Sequence, residues 1–249
     1  MSLLAAVLSL HPALSDGPVV VRRVASVPGT GNLLSELLGA GGFVDADWTT
    51  TTSGGTVTPN NASGSGCGSG TGWGGECLKI DAGVFAGPFV NNTFAAQSGN
   101  IWFRGRLKVD FVLSLDNNAH SVAGFSTAAA GGEGNGALTI RLVRDAGPNY
   151  RLKLYIFSAG GTSVLLDTYP AGSLATSDQL CVEFQENITT HAWEWRLNGA
   201  SEGSGTEVTI DLAPTDLFLG SYRALSTGDA DTQYWDQIEV STTGWLGCS

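Results

Sequence analysis

The feature that most constrains this chain is a long succession of short segments with apolar residues at every second position. The longest, 101–113 (IWFRGRLKVDFVL), is mostly alternating, and Leu138, Ile140 and Leu142 alternate with Thr139, Arg141 and Val143. Leu152, Leu154 and Ile156 alternate with Lys153 and Tyr155, and the same period recurs at 164–169, 180–185, 192–197, 207–212, 217–221 and 234–240. Period two is the signature of a strand with one face buried. Turn residues punctuate the series at Asp145-Ala146-Gly147-Pro148 and at Asn198-Gly199, the latter a strong hairpin signal. No helical period exceeds two turns. The expectation is an all-β fold, an antiparallel two-sheet jelly-roll sandwich, and one domain accommodates the series better than two.

That domain is expected over residues 43–249, with 1–42 as an N-terminal extension. Residues 2–10 (SLLAAVLSL) form an apolar run of signal-peptide length, but no Lys or Arg precedes them. The run is too short to span a bilayer, and no other membrane-spanning segment is expected. It reads as a docked terminal element or as an assembly arm, and VVVRRVAS at 19–26 reads as a short β-like stretch. LLSELL at 33–38 reads as at most two helical turns. The stretch 49–76, nearly all Thr, Ser, Gly and Asn, reads as long surface loop between short strands.

Charge excludes one class of partner. Only 12 Lys and Arg stand against 23 Asp and Glu, a net charge of −11, so no cationic face exists to displace counterions from nucleic acid. Four cysteines allow three pairings. Cys67 and Cys77 bracket a Gly-rich loop. Cys181 faces away from Leu180, Val182 and Phe184, and is free to meet Cys248 near the end of the chain. Cys67–Cys77 and Cys181–Cys248 are the pairs expected, which implies an oxidising, extracellular setting. Zinc is not indicated, because no CxxC occurs.

Three segments carry a family resemblance: LTIRLVRDAGPNYRLKLYIF from Leu138, WEWRLNG at 193–199 and YWDQIEVSTTGWLG at 234–247. The chain from Phe43 onward resembles the concanavalin A-like (laminin-G-like) jelly-roll domains of bacterial and phage surface proteins, with 41–57 and 76–83 in place of the opening strands. The resemblance implies fold rather than function, because glycan-binding modules, polysaccharide lyases, glucanases, adhesins and virion proteins share it.

Candidate sites follow from residue chemistry. Glycosidases of this fold would need an E-x-D-x-x-E strand, and lyases an Arg, Gln-x-His and Tyr-x-Lys set on the concave sheet. Neither occurs. Glu183, Glu186 and Glu194 read as surface carboxylates, and His120 and His191 as loop residues, so no enzyme activity is expected. Trp73, among small and polar neighbours in the Cys67–Cys77 loop, either contacts a ligand or partner or folds back on its own domain. Trp193, Trp195 and Leu197 read as a core face, with Glu194 and Arg196 opposite as candidate contacts. Asp116, Asp229 and Asp231 lie in oxygen-rich stretches, and the resemblance raises calcium as the one cofactor to test.

The function expected is that of a non-catalytic structural surface protein in a large extracellular assembly, in its specific form a virion decoration or tail-associated protein. Its partners would be other subunits, self or capsid and tail proteins. The alternative is a carbohydrate-binding adhesin or lectin, with a lyase or hydrolase behind it.

Overall fold

The computed structural model describes residues 32–36, 48–52, 54–62, 66–69, 73, 76–82, 87–127, 138–158, 162–169, 173–221 and 229–248, with the backbone alone at 32–36, 60 and 62. The apolar run 2–10 and the segment 19–26, with the roles expected of them, lie outside the described residues.

Every regular element among the described residues is a strand: β1 (Asn32–Glu36), β2 (Trp48–Thr51), β3 (Thr56–Ala62), β4 (Glu76–Ala82), β5 (Phe89–Thr93), β6 (Asn100–Val112), β7 (Ala119–Ser126), β8 (Leu138–Arg144), β9 (Tyr150–Phe157), β10 (Ser163–Tyr169), β11 (Gln179–Asn187), β12 (Ala192–Leu197), β13 (Ala200–Thr206), β14 (Asp216–Gly220) and β15 (Ala230–Ser241). They form two antiparallel sheets. The first runs β13-β12-β11-β6-β15-β4-β3, with β1 also on β15, and the second runs β10-β9-β8-β7-β14-β5-β2. This is an all-β jelly-roll sandwich.

Alternation decides which side chains meet between the sheets. On β6, Ile101, Phe103, Leu107 and Val109 are fully buried, while Trp102, Arg104, Arg106 and Lys108 point away from the core. Phe184 of β11 stacks on Phe103 at 4.6 Å and meets Phe125 of β7 edge-on at 4.9 Å, so the two sheets interlock through aromatic rings. Trp193, Trp195 and Leu197 are buried as their spacing implies. Trp195 Nε1 donates to Asp167 of β10 at 2.6 Å, tying the sandwich together where its edge strands β10 and β13 come close.

The hairpin at Asn198-Gly199 forms, with φ of 52° and 82°, the two positive values that a tight two-residue turn requires. Three expectations of secondary structure fail. Residues 49–76, read as surface loop, contain the whole of β3, which pairs with β4 despite its polar composition. Residues 32–36 form β1 rather than helical turns, because pairing with β15 satisfies their backbone and overrides local helical preference. Residues 207–212 form a turn rather than a strand. Thr209 donates from N and Oγ1 to Glu207 Oε1, and Val208, which alternation would bury, is 77% exposed.

Candidate functional site

Because neighbouring strands stand about 4.8 Å apart, cross-strand register lays outward side chains in rows. On the outer face of the first sheet, Trp102, Gln185 and Glu194 are register partners across β6, β11 and β12. The next row holds Arg104, Glu183 and Arg196. Trp102, Glu194 and Arg196 are half-buried, and Trp102 Nε1 is a buried donor with no acceptor among the described residues.

The segment that follows β15 completes this surface. It crosses β6 and β11 and is bound at each. Arg104 donates from Nη1 to Gly247 O at 2.7 Å and pairs through Nη2 with Glu239 at 2.9 Å. Gly247 N donates to Glu183 Oε1 at 2.8 Å, and Cys248 is disulfide-bonded to Cys181. Trp245 is thereby delivered to β12, where the Arg196 guanidinium lies 4.0 Å from its ring centroid. Arg196 Nε also donates to Glu194 at 2.8 Å. Two indoles, a carboxylate and a guanidinium, each half-buried, therefore share one face, while the Gln185 amide in the same row is buried and donates from Nε2 to Asn100 Oδ1 at 3.2 Å.

The second disulfide, Cys67–Cys77, fastens another segment over the other half of the same face. Lys108 Nζ donates to Gly66 O at 2.6 Å, and Ser69 N donates to Gln179 Oε1 at 3.0 Å. Trp73 lies against its own loop. A Cβ on Gly68 would come within 2.1 Å of the indole, so the ring folds back and is not aligned with Glu194 and Arg196.

Several sequence readings need correction. His120 is not a loop residue; it lies on β7 and is 1% exposed. Its ring stands between Asp231 (Nδ1 to Oδ2, 3.6 Å) and Asp229 (Nε2 to Oδ2, 3.8 Å). Asp229 also accepts from Ser114 N and Oγ and from Asn118 Nδ2, while Asp116 pairs with Arg144 at 3.2 Å. Calcium takes six to eight oxygen ligands around one point. Here an imidazole separates two of the carboxylates and an arginine holds the third, so these residues do not suit that ion. Nor are Glu183 and Glu186 surface carboxylates, each being 1% exposed. Glu183 receives the terminal segment. Glu186 shares the inward face of β11 with Phe184, between Ile101 and Trp193 in register, and burial pushes its carboxyl up to about 8.

The outer face of the second sheet offers a ligand less. Thr139, Phe157, Asp216 and Phe218 on it are at most 2% exposed, and Arg141 is 7% exposed beneath the rings of Tyr155 and Phe157.

The fold is thus a concanavalin A-like jelly-roll sandwich. It is similar to the solved structure of a cellulose-induced protein, Cip1, at 18% identity and a TM-score of 0.60 over 87% of this chain and 100% of that one. The binding domain of botulinum neurotoxin serotype D is similar at 12% identity and a TM-score of 0.57, over 85% of this chain. This chain spans about half, 48%, of that domain. The alginate lyase Aly36B, solved with an alginate tetrasaccharide, is similar at 13% identity and a TM-score of 0.54, over 80% of this chain and 98% of that one. No protein-family model and no curated protein matches the sequence. Two disulfides point to an oxidising, extracellular setting, and no helix among the described residues is long and apolar enough to cross a membrane.

Proposed function

We propose that the chain is a non-catalytic glycan-binding module whose ligand rests on the outer face of the first sheet. The observation that carries this is the patch formed by Trp102, Gln185 and Glu194 in one row, with the Arg196–Trp245 stack beside it. Sugar rings present C–H faces that pack on indole, and hydroxyls that need acceptors such as Glu194 and donors such as Arg196. Arg196 lies against one face of the half-buried Trp245. The similar structures support this reading through the alginate tetrasaccharide bound by one of them.

Binding without cleavage is favoured because the carboxylates nearby are held: Glu183 accepts from Gly247 N, Glu186 lies in the core, and Glu194 accepts from Arg196 through one oxygen, Oε1. The finer expectation of a virion decoration or tail-associated protein rests on low charge and on residues 1–42. Nothing among the described residues adds to it, and glycan binding takes its place as the leading reading.

Calorimetric titration against a panel that includes a neutral β-glucan hexasaccharide and an alginate tetrasaccharide tests the proposal. Binding should weaken at least about tenfold in Trp102→Ala, equivalent to about 1.4 kcal/mol, and should be unchanged in the remote control Val208→Ser. Equal affinity in Trp102→Ala, or no binding by the native chain, would refute it. Accumulation of shortened oligosaccharides would refute its non-catalytic part.

A further inference from the structure

Trp245 belongs to the patch only because the segment carrying it is tied down. We infer that the Cys181–Cys248 disulfide is a latch that assembles the glycan patch, so that binding depends on the redox state of this one bond. The inference rests on the glycan-binding reading and adds a condition to it.

Residues 242–248 have no strand of their own, and they cross two strands rather than extend one. Among the described residues, the polar and ring contacts that seat residues 245–248 are Arg104 to Gly247 O, a long 3.4 Å contact from Arg104 to Leu246 O, Gly247 N to Glu183, and Arg196 on Trp245. Hydrogen bonds exchanged with water contribute little net stability each, and fixing each backbone residue opposes them. The disulfide spans a sequence separation of 67 residues. It removes that loss by keeping the end of the segment beside Glu183 in every conformation. Arg104 and Glu183 are then positioning residues. They set the path of the segment, and the path sets where the Trp245 indole stands.

The switching step is balanced. A dithiol such as dithiothreitol supplies two electrons and two protons. The Cys181–Cys248 sulfur–sulfur bond breaks, each sulfur becomes a thiol, and the reductant closes to its own cyclic disulfide. The freed segment then withdraws Trp245 from Arg196, while Trp102, Gln185 and Glu194 remain on their strands.

The test uses the full chain in three forms: native, Cys181→Ser/Cys248→Ser, and Cys67→Ser/Cys77→Ser. Amide hydrogen exchange across 242–248 is measured together with affinity for the tightest-binding glycan of the panel above, and far-UV circular dichroism monitors the fold. The latch predicts at least tenfold faster exchange in 242–248 and at least tenfold weaker binding in Cys181→Ser/Cys248→Ser, with a native far-UV spectrum. Cys67→Ser/Cys77→Ser should bind as the native chain does. Unchanged exchange, or unchanged affinity with the latch pair removed, overturns the inference while leaving the glycan reading intact. Equal loss of binding in both double variants also overturns it, because the effect would then not belong to this bond. No glycan binding by the native chain overturns the reading on which it rests.

Discussion

Glu186 places a carboxyl on the inward face of a central strand with neither oxygen hydrogen-bonded among the described residues. Burial alone raises its pKa, from the ordinary 4.5 to about 8, because an ion in an apolar interior loses its hydration without gaining a partner. Below pH 4.5 both the folded and the unfolded chain hold the proton, and the stability of the sandwich is fully present. Between 4.5 and about 8 the unfolded chain releases the proton while the folded chain retains it, so stability falls as pH rises. The loss is complete once pH passes the folded value. At about 1.36 kcal/mol per pKa unit, the full loss is about 5 kcal/mol, a large share of a typical domain's stability. Glu186→Gln fills similar volume and cannot ionise. It should match the native chain near pH 4, exceed it by about 3 kcal/mol at pH 7, and exceed it by about 5 kcal/mol at pH 9. Urea denaturation of both proteins at half-unit steps from pH 4 to 9 measures that difference. Parallel profiles would show that Glu186 finds a partner or water in solution, and the burial argument would fail.

Two further substitutions probe the second sheet. Gly124→Ala would place a Cβ 2.5 Å from Leu138 O and 2.8 Å from the Phe218 ring, so it should cost about 1–3 kcal/mol as overpacking, read as a lower midpoint in urea. Thr139→Val removes a buried hydroxyl that has no partner while keeping its shape, and should raise Tm by about 2–4 °C in a scanning calorimeter. A lower Tm would mean that this hydroxyl is satisfied in solution.

Much of the sandwich was legible because period two is a geometric property of a strand. The alternation of β6, β8, β9 and β12 names their inward residues directly, and Asn198-Gly199 names the turn between β12 and β13. Legibility ended where pattern and tertiary context part. Residues 32–36 carry apolar spacing compatible with a helical turn, and only the partner strand β15 makes them extended. Residues 207–212 alternate, yet the Glu207 side chain closes a turn on Thr209. Glu186 and His120 defeated composition altogether. The rule that carboxylates face solvent is statistical, and only coordinates show an acid lying on an apolar face or an imidazole lying between two aspartates.

The candidate site was half legible, and the reason is specific. Glu194 and Arg196 stand out because they alternate with three core residues, Trp193, Trp195 and Leu197, on a single strand, so one segment of sequence places them. Trp102 obeys the same rule on β6, opposite Ile101 and Phe103, and its outward direction could have been read there from the alternation. Trp245 has no such signal. It lies after the last strand, 49 positions from Arg196 by number, and reaches it only because Arg104, Glu183 and Cys181 all point out of the same face toward the terminal segment. Arg104 lies on β6, while Glu183 and Cys181 lie two positions apart on β11, and register brings the two strands' residues together. Both disulfides fasten nonregular segments to this one sheet face, where the outward Arg104 and Glu183 are buried and anchor the terminal one. The candidate patch therefore stands where a fastened segment meets the strands, and neither the segment nor the strands supply it alone.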